Sequence, residues 1–597
     1  YVGDKRSLVL AFDIGTTFSG VSYTLLDPGQ VPLIKSVIRF PGQTLANSKV
    51  PSTTWYDTSG KARAFGAEAI LLETIDTAYA EGWTRLDWWK LNLAPKALSK
   101  KLPAGYAPKL PHGLSITEVF ADFMEYLFAC AESYIKDSHA LGGSVWDSVK
   151  ADIVFVLSHP NGWGGAEQVV MRRAAVKAKL IPDTAEGHDR VRFVTEGEAS
   201  FNFCVNNGIS GEAMKIGNNV IVIDAGGGTI DISGYVVQDR NPLQVEEIFA
   251  SECRLPGATT VTRKAQEFIE NRLKSSRFDV PEIINHITQC FDETTKRLFK
   301  SLDGISYIQF GSPAETEPGL GIQRGRMKLS GTEVASFFEA SIQGTISAIE
   351  AHLCSLKVND SAVLLVGGFG ESPWLFQRLR SRLADLGLSL SRPDVPTSKA
   401  VAQGAIASFL DGIVRSRVSR FKYGTKISVP YNPYDAQHAE RSSQAVFMAD
   451  GIKRLPNGFS TILDQGIRVS ETQEFRKAFF YFSGSRENLN RIKDTIKAYK
   501  GSSQDPRWID CEPASFFNLC TVSADTSKIP KPKMKNPRGS HYEVHYEVVL
   551  LFGLTELKAQ LVWMEDGVEK RRVHLPYHST PCAEYKQWTS RNSIRRD

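Results

Sequence analysis

The sequence predicts an α/β protein whose first 415 residues hold a duplicated, two-lobed fold and whose remainder is a mainly β domain. Three observations predict it. Two glycine-bearing turns headed by an aspartate recur about 200 residues apart, Asp13-Ile14-Gly15-Thr16-Thr17 and Asp224-Ala225-Gly226-Gly227-Gly228-Thr229. Each is entered by an apolar run (8–12 and 220–223) and left by period-two alternation (Val21, Tyr23, Leu25; then Ile230, Ile232), which is strand–turn–strand, twice. Beyond about residue 415, helical periodicity gives way to alternating runs.

Each element follows from its local pattern. Residues 7–40 read as strands and 41–60 as a loop with strand pieces, whereas 62–93 is helix-prone and rich in Trp. A Pro/Gly-rich loop over 102–113 precedes a helix from Thr117, with Phe120, Phe123, Met124 and Leu127 on one face. Strand 153–157, helix 166–180, strand 191–194 and a short helix from Glu196 complete the first half. The second half opens at 219 with its own hairpin. Helices near 257–274, 281–300 and 332–356, strand 362–366, and helices 373–386 and 399–410 follow. A hairpin plus helices, repeated, places a ligand between two halves. In the last third, runs at 426–429, 478–482, 542–551, 557–563 and 572–575 alternate, Glu565-Asp566-Gly567 signals a hairpin turn, and 487–499 reads as one helix. The basic, Pro-interrupted stretch 528–535 reads as a solvated loop, and the last dozen residues as disordered.

Bulk properties exclude several classes. A chain of 597 residues exceeds a single core. A net charge of +5 over that length is nearly balanced and by itself argues neither for nor against a nucleic-acid partner. Eight scattered cysteines without C-x-x-C spacing fit reduced thiols in a cytoplasmic protein. No apolar run approaches the ~18 residues of a membrane span, and no signal-peptide core begins the chain.

The two turns carry the chemistry. Glycines let backbone N–H groups crowd an anion, and threonine hydroxyls add donors. Aspartates at strand ends can hold Mg²⁺ through its waters. The segments lack G-x-x-x-x-G-K-[ST] and the G-x-G-x-x-G spacing, and strand rather than helix follows each turn. Two facing hairpins of this kind make a two-sided clamp for a nucleotide's phosphates.

These residues resemble the heat-shock protein 70 branch of the actin-like ATPase superfamily over roughly 7–412. The stretch from Ala11 to Ser19 resembles its first phosphate motif and that from Val222 to Asp231 its second. Leu365-Val366-Gly367-Gly368-Phe369-Gly370-Glu371-Ser372-Pro373 is similar to its adenosine motif, and Thr195-Glu196-Gly197-Glu198-Ala199-Ser200 and Ala400-Val401-Ala402-Gln403-Gly404-Ala405 to its two connecting helices. The resemblance implies an actin-like (ribonuclease H-like) fold, with lobe I at about 7–195 and lobe II at about 196–412. Residues 1–415 form the nucleotide-binding domain, 416–577 the mainly β domain and 578–597 a tail. It implies ATP/ADP and Mg as cofactors, with Asp13 and Asp224 holding the metal through waters. Thr16, Thr17, Phe18 and Thr229, with Gly15, Gly226, Gly227 and Gly228, would line the phosphates. Glu196 would orient a water or the metal, and Lys90 would neutralise γ-phosphate charge, with Lys96 and Arg85 as other candidates. Glu293 and Lys296 would bond the ribose, Arg297 would stack on adenine, and Gly367, Gly368 and Gly370 would admit the nucleoside.

The chain looks closest to the divergent branch that lacks the usual peptide-binding domain and lid. Glu371 stands where ordinary members place an arginine over the base, and Ile413-Val414-Arg415-Ser416-Arg417 is basic where chaperones carry an apolar-acidic linker. Peptide-client and J-domain co-chaperone binding are therefore not expected. The expected function is a slowly ATP-hydrolysing switch whose β domain meets an unknown protein partner. The alternatives are a nucleotide-binding pseudo-ATPase scaffold and, ranked lower, a metabolite kinase of the same superfamily. No membrane or nucleic-acid partner is expected.

Overall fold

A computed structural model describes residues 1, 3–95, 107–209, 211–353, 361–470, 472–553, 556–565 and 567–574. Lys96, the loop at 102–106, and the tail lie outside them. The chain divides into two compact units, Tyr1–Val418 and Ser419–Asp597.

The first unit is the duplicated α/β arrangement. In its first half, β1 (Ser7–Ile14) pairs antiparallel with β2 (Phe18–Leu26), which carries the short β3 (Val50–Pro51) on its far side. β1 also runs parallel to β4 (Val154–His159), and β4 to β5 (Val191–Thr195). Helix α1 (Ile116–Ser138) starts at a Ser115/Glu118 capping box and buries Phe120, Phe123, Met124 and Leu127 with Phe12, Tyr23 and Trp89. The second half repeats the plan. β6 (Asn219–Ala225) pairs antiparallel with β7 (Ile230–Arg240) and runs parallel to β9 (Ser361–Val366), while β8 (Leu243–Glu247) pairs with β7. β10 (Val414–Val418) runs parallel to β8. Two apolar cores result, one per half. Both hairpin strands are buried almost throughout, so continuous apolar runs outlast simple alternation in this sequence.

Helices α2 (Glu196–Asn206) and α3 (Ala400–Asp411) connect the halves, and they cross in backbone contact. A Cβ on Gly404 would lie 1.7 Å from the Ala199 carbonyl oxygen.

Several expectations are corrected. The Trp-rich stretch 62–93 is only partly helical: Leu72–Ala80 is α-helix, Ala62–Phe65 and Thr84–Leu86 are strands, and Trp89–Leu93 is a 3-10 turn. Helix 281–300 is broken, running from Pro281 to Cys290, then through a π turn over Phe291–Thr295 to Leu298.

The second unit is β-rich, with two five-stranded sheets. The stretch 487–499 is not a helix, since Arg491–Tyr499 is a strand paired with Lys422–Pro430 and Phe516–Asp525. Leu489, Ile492, Ile496 and Tyr499 are all buried and mimic helical spacing, but along the strand Ile492, Asp494, Ile496 and Ala498 are buried in alternation, and the aspartate hid it. Asp494 is held inside by Thr425 and by the Tyr546 hydroxyl at 2.9 Å. In the basic stretch, Lys533–Asn536 is a strand, and Lys531 is buried with Nζ donating to the carbonyls of Thr526 (2.8 Å) and Ser527 (3.2 Å).

Candidate functional site

The two glycine turns face each other in direct contact. A Cβ on Gly227 would stand 2.2 Å from the Thr17 hydroxyl oxygen, and one on Gly228 would stand 2.4 Å from that of Thr16. Only glycine lets the turns meet this closely. The first turn is fixed by Ser52, whose N–H donates to the Thr17 carbonyl (2.9 Å) and whose hydroxyl donates to the Gly15 carbonyl (2.8 Å). The second is closed by Gly226 N–H to the Thr229 carbonyl (2.9 Å). It is also backed by helix α4 (Ala258–Leu273), whose Ala258 and Thr259 N–H groups donate to the Gly226 and Gly227 carbonyls. Phe18 begins β2 and is 40% exposed.

Four carboxylates line this junction, and all are buried: Asp13, Glu196, Asp224 and Asp231. Asp13 and Asp224 occupy equivalent places near the ends of β1 and β6. Asp224 accepts from the Ser200 hydroxyl (2.6 Å) on α2. Burial, with Glu196 and Asp13 beside it, pushes the Asp224 carboxyl up to about 7. Burial, Glu196 and Asp224 also hold Asp231 well above the usual carboxylate range, against the pull of the Asn161 N–H (2.6 Å) and the Thr229 hydroxyl (2.9 Å). Burial raises Glu196 as well, opposed by Lys90. Such a cluster carries fewer cations than carboxylates. Hard oxygen donors in that condition fit a hydrated Mg²⁺, which Asp13 and Asp224 would hold.

Lys90 lies inside the site. Its Nζ donates to Glu196 Oε1 at 2.7 Å, with both side chains nearly sealed from solvent, and sits 5.2 Å from the centroid of the Trp163 ring. Burial of the preceding Trp89 directs it there: that indole donates to the Ser52 carbonyl (2.9 Å) and packs on Phe120. The 3-10 turn begins after Trp88, held at φ 55° in the left-handed region. Arg85 instead pairs with Asp87 in a more exposed position.

The nucleoside residues are less tightly gathered. Gly367 adopts φ 85°, and a Cβ there would meet Asp224 Oδ1 at 2.4 Å, so the adenosine motif abuts the second aspartate. Gly368 caps, and Gly370 lies within, the short turn Phe369–Glu371 that follows. Lys296 does not pair with Glu293. It pairs with Asp292 and donates to the Thr262 hydroxyl (3.1 Å) on α4, while Glu293 accepts from Gln289 (2.8 Å). Glu293 and Arg297 are exposed.

Four site residues received no role from the sequence: Asp231, Ser200, Asn161 and Lys49. Asp231 was visible as a carboxylate within an apolar alternation. Asn161 bridges the halves by donating its N–H to Asp231 and accepting from Gly197 N–H (3.2 Å). Lys49 forms an ion pair with Asp13, and no motif marks it.

No protein-family model matches the chain. It is 21% identical to heat shock 70 kDa protein 12B of Homo sapiens, over 93% of this chain and 89% of that protein. It is 21% identical to heat shock 70 kDa protein 12A of Homo sapiens over 79% of each, and 22% identical to that of Mus musculus over 78% of each. The resemblance to the divergent branch of the heat-shock protein 70 family, and the two-lobed actin-like fold it implies, are both borne out. Among the described residues, no helix is long and apolar enough to cross a membrane.

Proposed function

We propose that this chain is a cytoplasmic, Mg²⁺-ATP-binding switch protein that hydrolyses ATP slowly and passes its nucleotide state to its β-rich C-terminal unit. One observation carries the reading: two independent Asp–Gly–Thr turns, one from each half, touch through Thr16, Thr17, Gly227 and Gly228 over a nest of four carboxylates. Bound Mg²⁺ would supply charge neutralisation for the phosphates. The protein's own groups do the rest. Turn N–H groups and the Thr16, Thr17 and Thr229 hydroxyls would grip phosphate oxygens, Thr229 exchanging its bond to Asp231 for one to phosphate. Glu196 is placed to accept a proton from, and so orient, a water. Lys90 holds positive charge where negative charge would build, the electrostatic work phosphoryl transfer needs. The six cysteines among the described residues are free thiols, in keeping with a reducing compartment.

A second reading, a nucleotide-binding scaffold with negligible turnover, is favoured by the two lysines already bound to site carboxylates, Lys90 to Glu196 and Lys49 to Asp13. Thermal melting with ATP or ADP tests binding. Ligand at about 100 times Kd stabilises by about 2.7 kcal/mol, and Asp13→Asn with Asp224→Asn lowers that shift. An unchanged shift in the double variant would refute the clamp. Phosphate release over hours separates the two readings.

A further inference from the structure

We propose that Lys49 is a built-in counter-cation of Asp13 that competes with Mg²⁺ for this carboxylate, so that the chain binds nucleotide with little dependence on the metal. The inference rests on the nucleotide reading above and concerns a residue outside every motif that supports it.

The contact is built rather than casual. Lys49 immediately precedes Val50, which is locked opposite Ser19 in the β2–β3 ladder. Its own backbone is held from both sides, its N–H donating to Asn47 Oδ1 (3.0 Å) and its carbonyl accepting from Gln43 Nε2 (2.6 Å). The aliphatic stem passes over Gly20, the residue paired with Asp13 across the β1–β2 hairpin. A Cβ on Gly20 would stand 3.3 Å from Lys49 Cδ and 3.6 Å from Cε. The missing side chain of Gly20 is thus the channel by which the ammonium group reaches Asp13. There Nζ pairs with Asp13 Oδ2, with the two side chains 13% and 6% exposed.

The charges around it explain why the pair forms. Asp13, Glu196, Asp224 and Asp231 converge on the junction, and Lys90 is engaged by Glu196. Lys49 is the cation that answers Asp13, and its field also reaches Glu196 and Asp224. A fixed ammonium and a hydrated dication cannot both sit at full strength on one carboxylate oxygen. A metal held through Oδ2 would therefore displace Lys49, and one held through Oδ1 would still share the carboxylate's charge with it. The displaced ammonium, on its flexible stem, is a point charge suited to a phosphate oxygen. In either place it supplies part of what the metal would otherwise supply.

Calorimetric titration of the full chain with ATP and with ADP, in excess Mg²⁺ and in excess chelator, tests this. Chelation should weaken wild-type binding by less than about tenfold, whereas Lys49→Met should become metal-dependent by at least a further tenfold, one charge-assisted contact's worth. In nucleotide-free protein, the same variant should bind Mn²⁺ about tenfold more tightly, read by the loss of the free-ion paramagnetic signal. Wild-type binding that falls more than about a hundredfold on chelation overturns the proposal without any variant, and leaves the nucleotide reading standing. Equal metal dependence in wild type and Lys49→Met also overturns it. Wild type that binds neither nucleotide in either condition overturns the nucleotide reading and this proposal together.

Discussion

Replacing Arg417 with alanine should destabilise the first unit, and by an amount that depends on pH. Arg417 donates through Nη2 (2.7 Å) and Nε (3.2 Å) to Glu198 Oε2, with side chains 14% and 6% exposed. Glu198 Oε1 also accepts from the Ser408 hydroxyl at 3.1 Å, which ties α2 to α3. A second buried carboxylate, Glu247, stands close by, accepting from Val418 N–H (2.8 Å) and the Ser251 hydroxyl (2.8 Å). Burial raises Glu247 despite these bonds and the pull of Arg417. Removing one partner of a buried pair costs about 3–5 kcal/mol, because the remaining charge loses its compensation. Without Arg417, Glu247 loses a counter-charge that opposes its upward shift, so its protonated form is favoured further in the folded state than in the unfolded chain. The folded state then binds more protons than the unfolded state, so stability falls as pH rises through the unfolded carboxylate range towards neutrality. The variant should therefore show its full deficit at pH 8 and a much smaller one at pH 5. Urea titration followed by circular dichroism at both values measures this, and the melting temperature should drop on the order of 5 °C at the higher pH. The double variant Arg417→Met/Glu198→Gln should recover the part of the loss that Glu198 carries, since that pair is then neutral, while Glu247 still lacks its counter-charge. A deficit below about 1 kcal/mol, or one equal at the two pH values, would show that the pair is not the buried charge system described.

Two further outcomes test the packing and capping arguments. Gly404→Val should cost about 3 kcal/mol or more in the same urea assay, because its side chain would strike the Ala199 carbonyl and force the connecting helices apart; a neutral effect would mean that the helices do not cross in backbone contact. Glu118 is held down at about 2 by the Ser115 N–H, by Lys177 and by the Ser115 hydroxyl. Its contribution is therefore present above the unfolded value and lost as pH falls towards 2. Because Glu118 is one-third exposed, Glu118→Gln should cost only about 1 kcal/mol at pH 7 and nearly nothing near pH 2, and a pH-independent cost would refute the capping account.

The hairpins were legible because they are buried on both faces and bounded by glycines, which leaves a long apolar run with a sharp interruption. Helix α1 was legible because its apolar face and the Ser115 cap agree. The failures share a cause. At 487–499 a polar residue, Asp494, sits inside the β-rich unit. A pattern that scores aspartate as outward-facing then sees three-to-four spacing where the chain runs with a period of two. The stretch 62–93 reads as helix-prone, yet it is tied down by indole bonds, from Trp55 to the Ala69 carbonyl within it and from its own Trp89 to the Ser52 carbonyl, at 2.8 and 2.9 Å. Those are tertiary contacts, which override local propensity.

The site divides along the same line. Residues that act through the backbone of a turn announce themselves, because glycine spacing and a leading aspartate are local facts. Lys90 could be approached only by region, since a buried tryptophan next to it, not a spacing rule, aims it at Glu196. Lys49 could not be found at all. Its partner is 36 positions away, and the feature that joins them is the absence of a side chain at Gly20. The motifs therefore supply the negative half of the cleft, shared with any protein that clamps a metal–triphosphate. The positive half comes from lysines whose placement only the folded chain reveals. On the nucleotide reading proposed above, the dependence on Mg²⁺, and whether ATP is turned over or merely held, would follow from the balance between those halves. Two lysines already answer two of the four buried carboxylates, Lys90 at Glu196 and Lys49 at Asp13, and Lys49 stands on one that a metal would also use.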